Sequence, residues 1–70
     1  MTKEITVTVN GEVIQLPSGT TVTQLIEKMA FQGRRLAVER NEEIVPKSLH
    51  AETALQHQDK LEIVHAIGGG

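Results

Sequence analysis

The sequence has no cysteine, no tryptophan and no tyrosine, and its single phenylalanine is Phe31. Without cysteine there are no disulfides, no thiolate metal site and no side-chain thiol nucleophile. So few aromatic side chains provide no stacking platform for single-stranded nucleic acid, and the core must be built from aliphatic residues. Long apolar runs are missing as well. No stretch approaches the ~20 residues that span a bilayer, and the N-terminus lacks the apolar segment of a signal peptide. The expected location is therefore the cytoplasm, with neither membrane nor nucleic acid among the partners. An excess of one charge is also absent: the net charge is -2 and the basic residues are scattered, which argues against a groove that tracks phosphates. The 70 residues suffice for one small domain. A chain this short buries only about 60% of its unfolded surface, so its apolar pattern must be tight.

The pattern is tight. Ile5, Val7 and Val9 alternate with Thr6 and Thr8, the period-two signal of a half-buried strand. Asn10-Gly11 supplies the two positive-φ positions of a type I′ turn. The spacing predicts a hairpin from Lys3 to Leu16 in which Val9 faces Glu12, Thr8 faces Val13, Val7 faces Ile14 and Ile5 faces Leu16. Pro17-Ser18-Gly19 breaks the strand. Thr21 and Gln24 then match a capping box. Val22, Leu25, Ile26, Met29 and Ala30 recur at helical spacing, one apolar stripe for the core, and Gly33 is placed to end the helix.

The second half reads as strands. Arg35 to Arg40 forms a third strand with Leu36 and Val38 on one face and Ala37 and Glu39 on the other, and Asn41-Glu42-Glu43 turns the chain. Ile44-Val45 is a short fourth strand stopped by Pro46, a placement that suits a sheet edge. His50 to Leu55 is expected to make one helical turn. Asp59-Lys60 opens the last strand, with Leu61 and Ile63 inward. This order predicts a two-layer α+β domain, a mixed sheet of about five strands packed on one main helix. The last strand, with the most regular apolar pattern of the second half, belongs inside the sheet and aims the C-terminal residues outward.

Those residues are Ala66-Ile67-Gly68-Gly69-Gly70. Consecutive glycines add nothing to a core and are costly to order. They suit a narrow channel that must admit bare backbone. The alternative is a frayed end without function. Extended, the stretch from Ala66 reaches roughly 17 Å. An α-carboxyl at Gly70 has a reference pKa of about 3.3–3.7, so it is ionised near neutrality and able to attack a phosphate.

Several segments together carry a resemblance. Val9-Asn10-Gly11-Glu12 stands at the first turn, and Thr21-Val22 with Leu25-Ile26 opens the helix. Ala37-Val38-Glu39-Arg40-Asn41, Ile44-Val45-Pro46-Lys47, His50-Ala51-Glu52-Thr53 and the tail Val64-His65-Ala66-Ile67-Gly68-Gly69-Gly70 follow. Over essentially its whole length the chain resembles the ThiS family of sulfur carriers, ThiS/MoaD-type members of the ubiquitin-like β-grasp fold. The resemblance implies a β-grasp domain over residues 1–65 and a flexible tail over residues 66–70. It implies a protein cosubstrate rather than an enzyme, with no bound cofactor and no metal. An E1-like adenylyltransferase of the ThiF type would adenylate the carboxylate of Gly70 with ATP. Sulfur from a donor such as a cysteine desulfurase would convert it to a thiocarboxylate, and a ThiG-type thiazole synthase would use that sulfur to build the thiazole of thiamin. Gly69, Gly68 and Ile67 would be the residues by which partners recognise the tail.

Two further features of the sequence stand beside this resemblance. His50, His57 and His65 are spaced by seven and eight residues, which matches no common metal-ligand motif, so they are expected on the solvated surface. Val13, Ala37 and Val64 project from the outer sheet face among Thr6, Thr8, Gln15 and Glu62. A small apolar patch ringed by polar groups marks a candidate docking surface. The alternatives to a thiamin-pathway carrier are a molybdopterin-synthase small-subunit type, a ubiquitin-like modifier and a passive β-grasp binding module. Fold alone does not separate them.

Overall fold

The computed structural model describes residues 3–29 and 36–65. Strand β1 (Glu4–Val9) and strand β2 (Glu12–Pro17) form a hairpin, followed by helix α1 (Val22–Lys28). Strands β3 (Leu36–Arg40) and β4 (Glu43–Val45) form a second hairpin. A single 3-10 turn, Lys47–Leu49, and an irregular segment lead to strand β5 (Lys60–His65). The sheet order is β2-β1-β5-β3-β4. β5 runs parallel to β1 and antiparallel to β3, so the last strand lies at the centre of a mixed sheet, as its apolar pattern predicts.

The first hairpin has the expected register: Val9 opposes Glu12, Val7 opposes Ile14 and Ile5 opposes Leu16. Asn10 and Gly11 take φ values of 52° and 84°, the left-handed pair that a type I′ turn demands. Because side chains alternate between faces, this register puts Ile5, Val7, Val9 and Leu16 on one buried face. Val38 of β3 and Leu61 and Ile63 of β5 continue that face across the sheet. Val22 and Leu25 of α1 close over it, with Ile26 and Met29 packed at the margin. Burying a side chain of this size contributes roughly 1.5–3 kcal/mol, and the chain-ordering entropy opposes it.

Helix α1 starts where the capping box places it. Gln24 N–H donates to Thr21 Oγ1 at 3.2 Å, and Thr21 N–H donates to Gln24 Oε1 at 3.0 Å. The first helical N–H groups, which have no partner inside the helix, are taken up by the segment after β4. Val22 N–H donates to the Thr53 carbonyl at 3.0 Å, and Thr23 N–H to that of His50 at 3.2 Å. Ala30 and Gly33, the expected helix end, and Arg35, the expected strand start, lie outside the described residues.

The expected helical turn at His50 to Leu55 is displaced. The turn forms earlier, at Lys47–Leu49, directly after Pro46. Residues 53–55 are drawn out straight: Ala54 bridges to Thr21, and Leu55 N–H donates to the Thr20 carbonyl at 2.8 Å. Leu55 is fully buried. Reaching the core beneath the start of α1 requires an extended backbone, and that gain overrides local helix preference.

Candidate functional site

Central strand β5 ends at His65 and aims the chain toward the glycine residues, so what holds β5 holds the base of the tail. Two asparagines grip it from opposite sides. At the first hairpin turn, Asn10 Oδ1 accepts from Ile63 N–H at 2.8 Å while Asn10 Nδ2 donates to the Ile63 carbonyl at 3.0 Å. The side-chain amide thus imitates a strand neighbour and prolongs the β1–β5 pairing past the end of β1. At the second turn, Asn41 Oδ1 accepts from Lys60 N–H at 3.0 Å, and Asn41 N–H donates to the Lys60 carbonyl at 2.8 Å. One asparagine secures the start of β5 and the other its later half.

Asn41 also joins a buried carboxylate. Asp59, only 4% exposed, accepts from Arg40 Nε at 2.7 Å, from Asn41 Nδ2 at 2.9 Å and from Gln56 N–H at 2.8 Å. Burial pushes the Asp59 carboxyl up, but the Gln56 N–H, the Asn41 amide and the Arg40 guanidinium together outweigh it and hold its pKa below the ordinary 3.8. Asp59 thus stays ionised and fixes the residue before β5.

The three histidines, expected on the surface, are not all there. His50 is not on the surface: it is 7% exposed, and its Nε2 lies 3.0 Å from the Val45 carbonyl. A carbonyl only accepts, so Nε2 carries the proton. His57 is exposed, yet its Nδ1 accepts from Thr6 N–H at 3.0 Å and ties the loop before β5 to β1. His65 is exposed at the end of β5. Among the described residues, no group of acidic, histidine or cysteine side chains is arranged to hold a metal ion.

The outer face of the sheet, away from α1, carries the anticipated residues, but it does not gather them into one patch. Val64 (56% exposed) and Ala37 stand directly opposite each other on β5 and β3. Val13 (65% exposed) lies on the far edge, beside Thr8, with the whole of β1 between it and Val64. Ile44, 63% exposed, takes its place: it projects from β4 opposite Glu39, diagonal to Ala37. In the Ile44-Val45 pair alternation lets one side chain face inward, and the register of Val45 with buried Val38 decides it. Ile67, Gly68, Gly69 and Gly70, the residues assigned to tail recognition and reaction, lie outside the described residues. Among the described residues no helix is long and apolar enough to cross a membrane.

The model of the ThiS family matches residues 2–70 of the chain. The sulfur carrier protein ThiS of Bacillus subtilis is 36% identical over 62 residues, covering 87% of this chain and 94% of that one. A thiazole synthase of Paramagnetospirillum magneticum contains a stretch 48% identical over 62 residues, 89% of this chain; the chain spans only 19% of that synthase's length. A crystal structure of the thiamine biosynthesis protein ThiS from Geobacter metallireducens superposes with a TM-score of 0.83 at 26% identity, covering 94% of this chain and all of that one. The sheet with its single helix is therefore the β-grasp fold, and the chain belongs to the ThiS family of sulfur carrier proteins.

Proposed function

We propose that this chain carries sulfur for thiazole formation in thiamine biosynthesis as a thiocarboxylate on Gly70. The observation that carries this reading is the family match over residues 2–70, which takes in the glycine run. The chemistry follows from the group itself. A carboxylate is a poor electrophile. An E1-like adenylyltransferase overcomes this by letting the Gly70 carboxylate attack the α-phosphorus of ATP, which expels pyrophosphate and leaves a mixed anhydride. A persulfide sulfur drawn from a desulfurase then attacks the carbonyl carbon and AMP departs; a thiol reductant cleaves the S–S bond of the resulting acyl disulfide, which leaves the thiocarboxylate and a disulfide. The thiocarboxylate passes its sulfur to a thiazole synthase.

In this scheme the folded domain is a handle, not a catalyst. Its task is to hold β5 rigid so that Ala66–Gly70 enter a partner's active site from a fixed point. The grip of Asn10 and Asn41 on β5 supports that role. A thiazole synthase as partner is supported by the stretches 48% and 39% identical to this chain within two thiazole synthase polypeptides. In those proteins a domain like this one and the synthase share a single chain.

Intact-protein mass spectrometry after incubation with an E1-like enzyme, ATP and a sulfur source tests the reading. The expected result is exchange of one oxygen for sulfur at Gly70 in the full-length protein, and none in a variant lacking Gly69 and Gly70. Sulfur elsewhere, or no ATP-dependent change with an enzyme competent on another carrier, would overturn it.

A further inference from the structure

The two edges of the sheet are built differently. Edge strand β4 has three residues and is followed by Pro46, so it offers little to a further strand. Edge strand β2 has six residues and pairs with β1 along all of them. In β1 the main-chain groups of alternate residues turn toward β5. Thr8 N–H donates to the Asp59 carbonyl at 2.9 Å, Asn10 N–H donates to that of Leu61 at 2.9 Å, and the Thr6 carbonyl accepts from Gln58 N–H at 2.6 Å. The groups of Ile5, Val7 and Val9 are left for β2, where they meet Leu16, Ile14 and Glu12. The N–H and C=O groups of Val13 and Gln15, and the carbonyl of Pro17, therefore point out from the sheet edge. The Pro17 carbonyl is taken, accepting from Thr20 N–H at 3.2 Å and Thr20 Oγ1 at 2.7 Å. Among the described residues nothing takes up those of Val13 and Gln15. The stretch Val13-Ile14-Gln15 has no charge, no proline and no bulge to blunt it.

We infer that β2 is a self-association edge, at which two copies of the chain join β2 to β2, antiparallel, about a two-fold axis through Ile14. In this register Val13 of each copy faces Gln15 of the other, and each such pair exchanges both of its N–H···O=C bonds. Every open group on the edge is then used. An axis through Val13 would instead set Gln15 against the turn residue Gly11. An axis through Gln15 would set Val13 against Pro17, which has no N–H and whose carbonyl already holds two donors. The occupant is a second copy because the edge is its own complement. The side chains agree. On the helix face the two half-buried Ile14 side chains meet at the axis, at the closer spacing of a non-hydrogen-bonded pair. On the outer face the two Val13 side chains become diagonal neighbours about 7–8 Å apart, which gives cover to a residue 65% exposed and remote from Val64. Glu12 faces Leu16 of the other copy, so no like charges oppose each other. β5 is separated from the edge by β1 and β2, so both copies keep the base of the tail clear of the contact, and the inference stands apart from the sulfur-carrier reading. A contact one strand wide buries less than the ~1,200 Å² of a standard interface, so the dimer is a transient one.

Sedimentation equilibrium of the full-length protein from about 10 μM to about 1 mM, the range in which so small a contact associates, tests this, with amide NMR shifts followed over the same dilution. The mean mass should rise from monomer toward dimer, and the concentration-dependent shifts should centre on Val13, Ile14 and Gln15. Val13→Lys sets two cations beside the axis, and Gln15→Pro removes an open N–H that β1 does not use. Each should lower the association constant about tenfold or more. Val13 is exposed, so Val13→Lys should keep the wild-type melting temperature, and it decides the matter alone if Gln15→Pro does not fold. A control, Val64→Lys, adds the same charge to the outer face away from the edge and should associate as the wild type does. A wild-type protein that stays monomeric throughout the range overturns the inference, as does unchanged association in Val13→Lys. Equal weakening by Val64→Lys also overturns it, because the effect would then belong to added charge and not to the edge.

Discussion

Two hairpins flank the central strand, and both turn on asparagine. In the first, Asn10 at φ 52° is followed by Gly11 at φ 84°. In the second, Asn41 at φ 52° is followed by Glu42 at φ 72°. The first residue of each turn is thus the same, and the second is not. Asparagine tolerates the left-handed region better than most residues, but so does glycine. What glycine lacks is the amide that reaches β5, where Asn10 holds Ile63 and Asn41 holds Lys60 and Asp59. The first position is chosen for its side chain, and only the second for its backbone. At that second position the first hairpin is relaxed and the second is strained.

The largest expected effect lies where the second clamp meets its carboxylate. Asp59→Ala leaves Gln56 N–H, Arg40 and Asn41 Nδ2 without their shared acceptor and should cost about 3 kcal/mol in urea unfolding. A domain of this size is stable by roughly 3.5–10 kcal/mol, so that loss is severe. Because the folded pKa of Asp59 lies below 3.8, its contribution is complete above the unfolded value. It is lost as pH falls through the lower folded one. Wild-type stability should therefore drop as pH falls below about 4, and Asp59→Asn should flatten that part of the profile. An unchanged acid profile in Asp59→Asn would mean that the carboxylate is not the group that titrates.

Next come the clamps themselves. Asn10→Gly and Asn41→Gly keep the positive φ available and remove only the amide, which isolates the grip from the turn. Each should cost about 1–2 kcal/mol by the same unfolding measurement. Asn41→Gly should cost more, because it takes a donor from buried Asp59 as well. Equal losses would show that the Asn41–Asp59 contact contributes nothing beyond the hold on Lys60.

The same comparison marks how far the sequence alone reaches. The first hairpin was legible to its register, because alternation and Asn-Gly act over neighbouring residues and point the same way. The capping box and the central place of β5 were legible for the same reason. The grip of Asn10 on Ile63 crosses 53 positions of sequence, and that of Asn41 on Lys60 crosses 19. A bond between a side chain and a distant backbone leaves no periodic trace, so both asparagines read only as turn formers and Asp59 only as a strand start. His50 read as a surface residue because its burial depends on how the segment after β4 passes beneath α1. Ile44 escaped the candidate docking face because two apolar residues in a short strand do not announce which one faces outward. Pairing with Val38 decides that.

The smallest effects should have opposite signs in the two turns. A Cβ added at Gly11 would meet no atom within 4 Å, so Gly11→Ala carries only the penalty of a left-handed alanine. That loss is about 1 kcal/mol. Glu42 already bears such a penalty, and Glu42→Gly relieves it while adding freedom to the unfolded chain, which works the other way by about 0.5–1 kcal/mol. The left-handed term is the larger in a type I′ turn, so Glu42→Gly should raise stability by a few tenths of a kcal/mol, read as a small upward shift of the urea midpoint at constant slope. The protein thus retains Glu42 at a cost, and Glu42 borders the same surface depression as Glu39 and Glu62. A stabilised Glu42→Gly variant that also binds thiazole synthase less tightly would place this second turn residue on the candidate docking face, and the difference between the two hairpins would then belong to recognition. If midpoint and binding are both unchanged, the side chain at this position matters to neither.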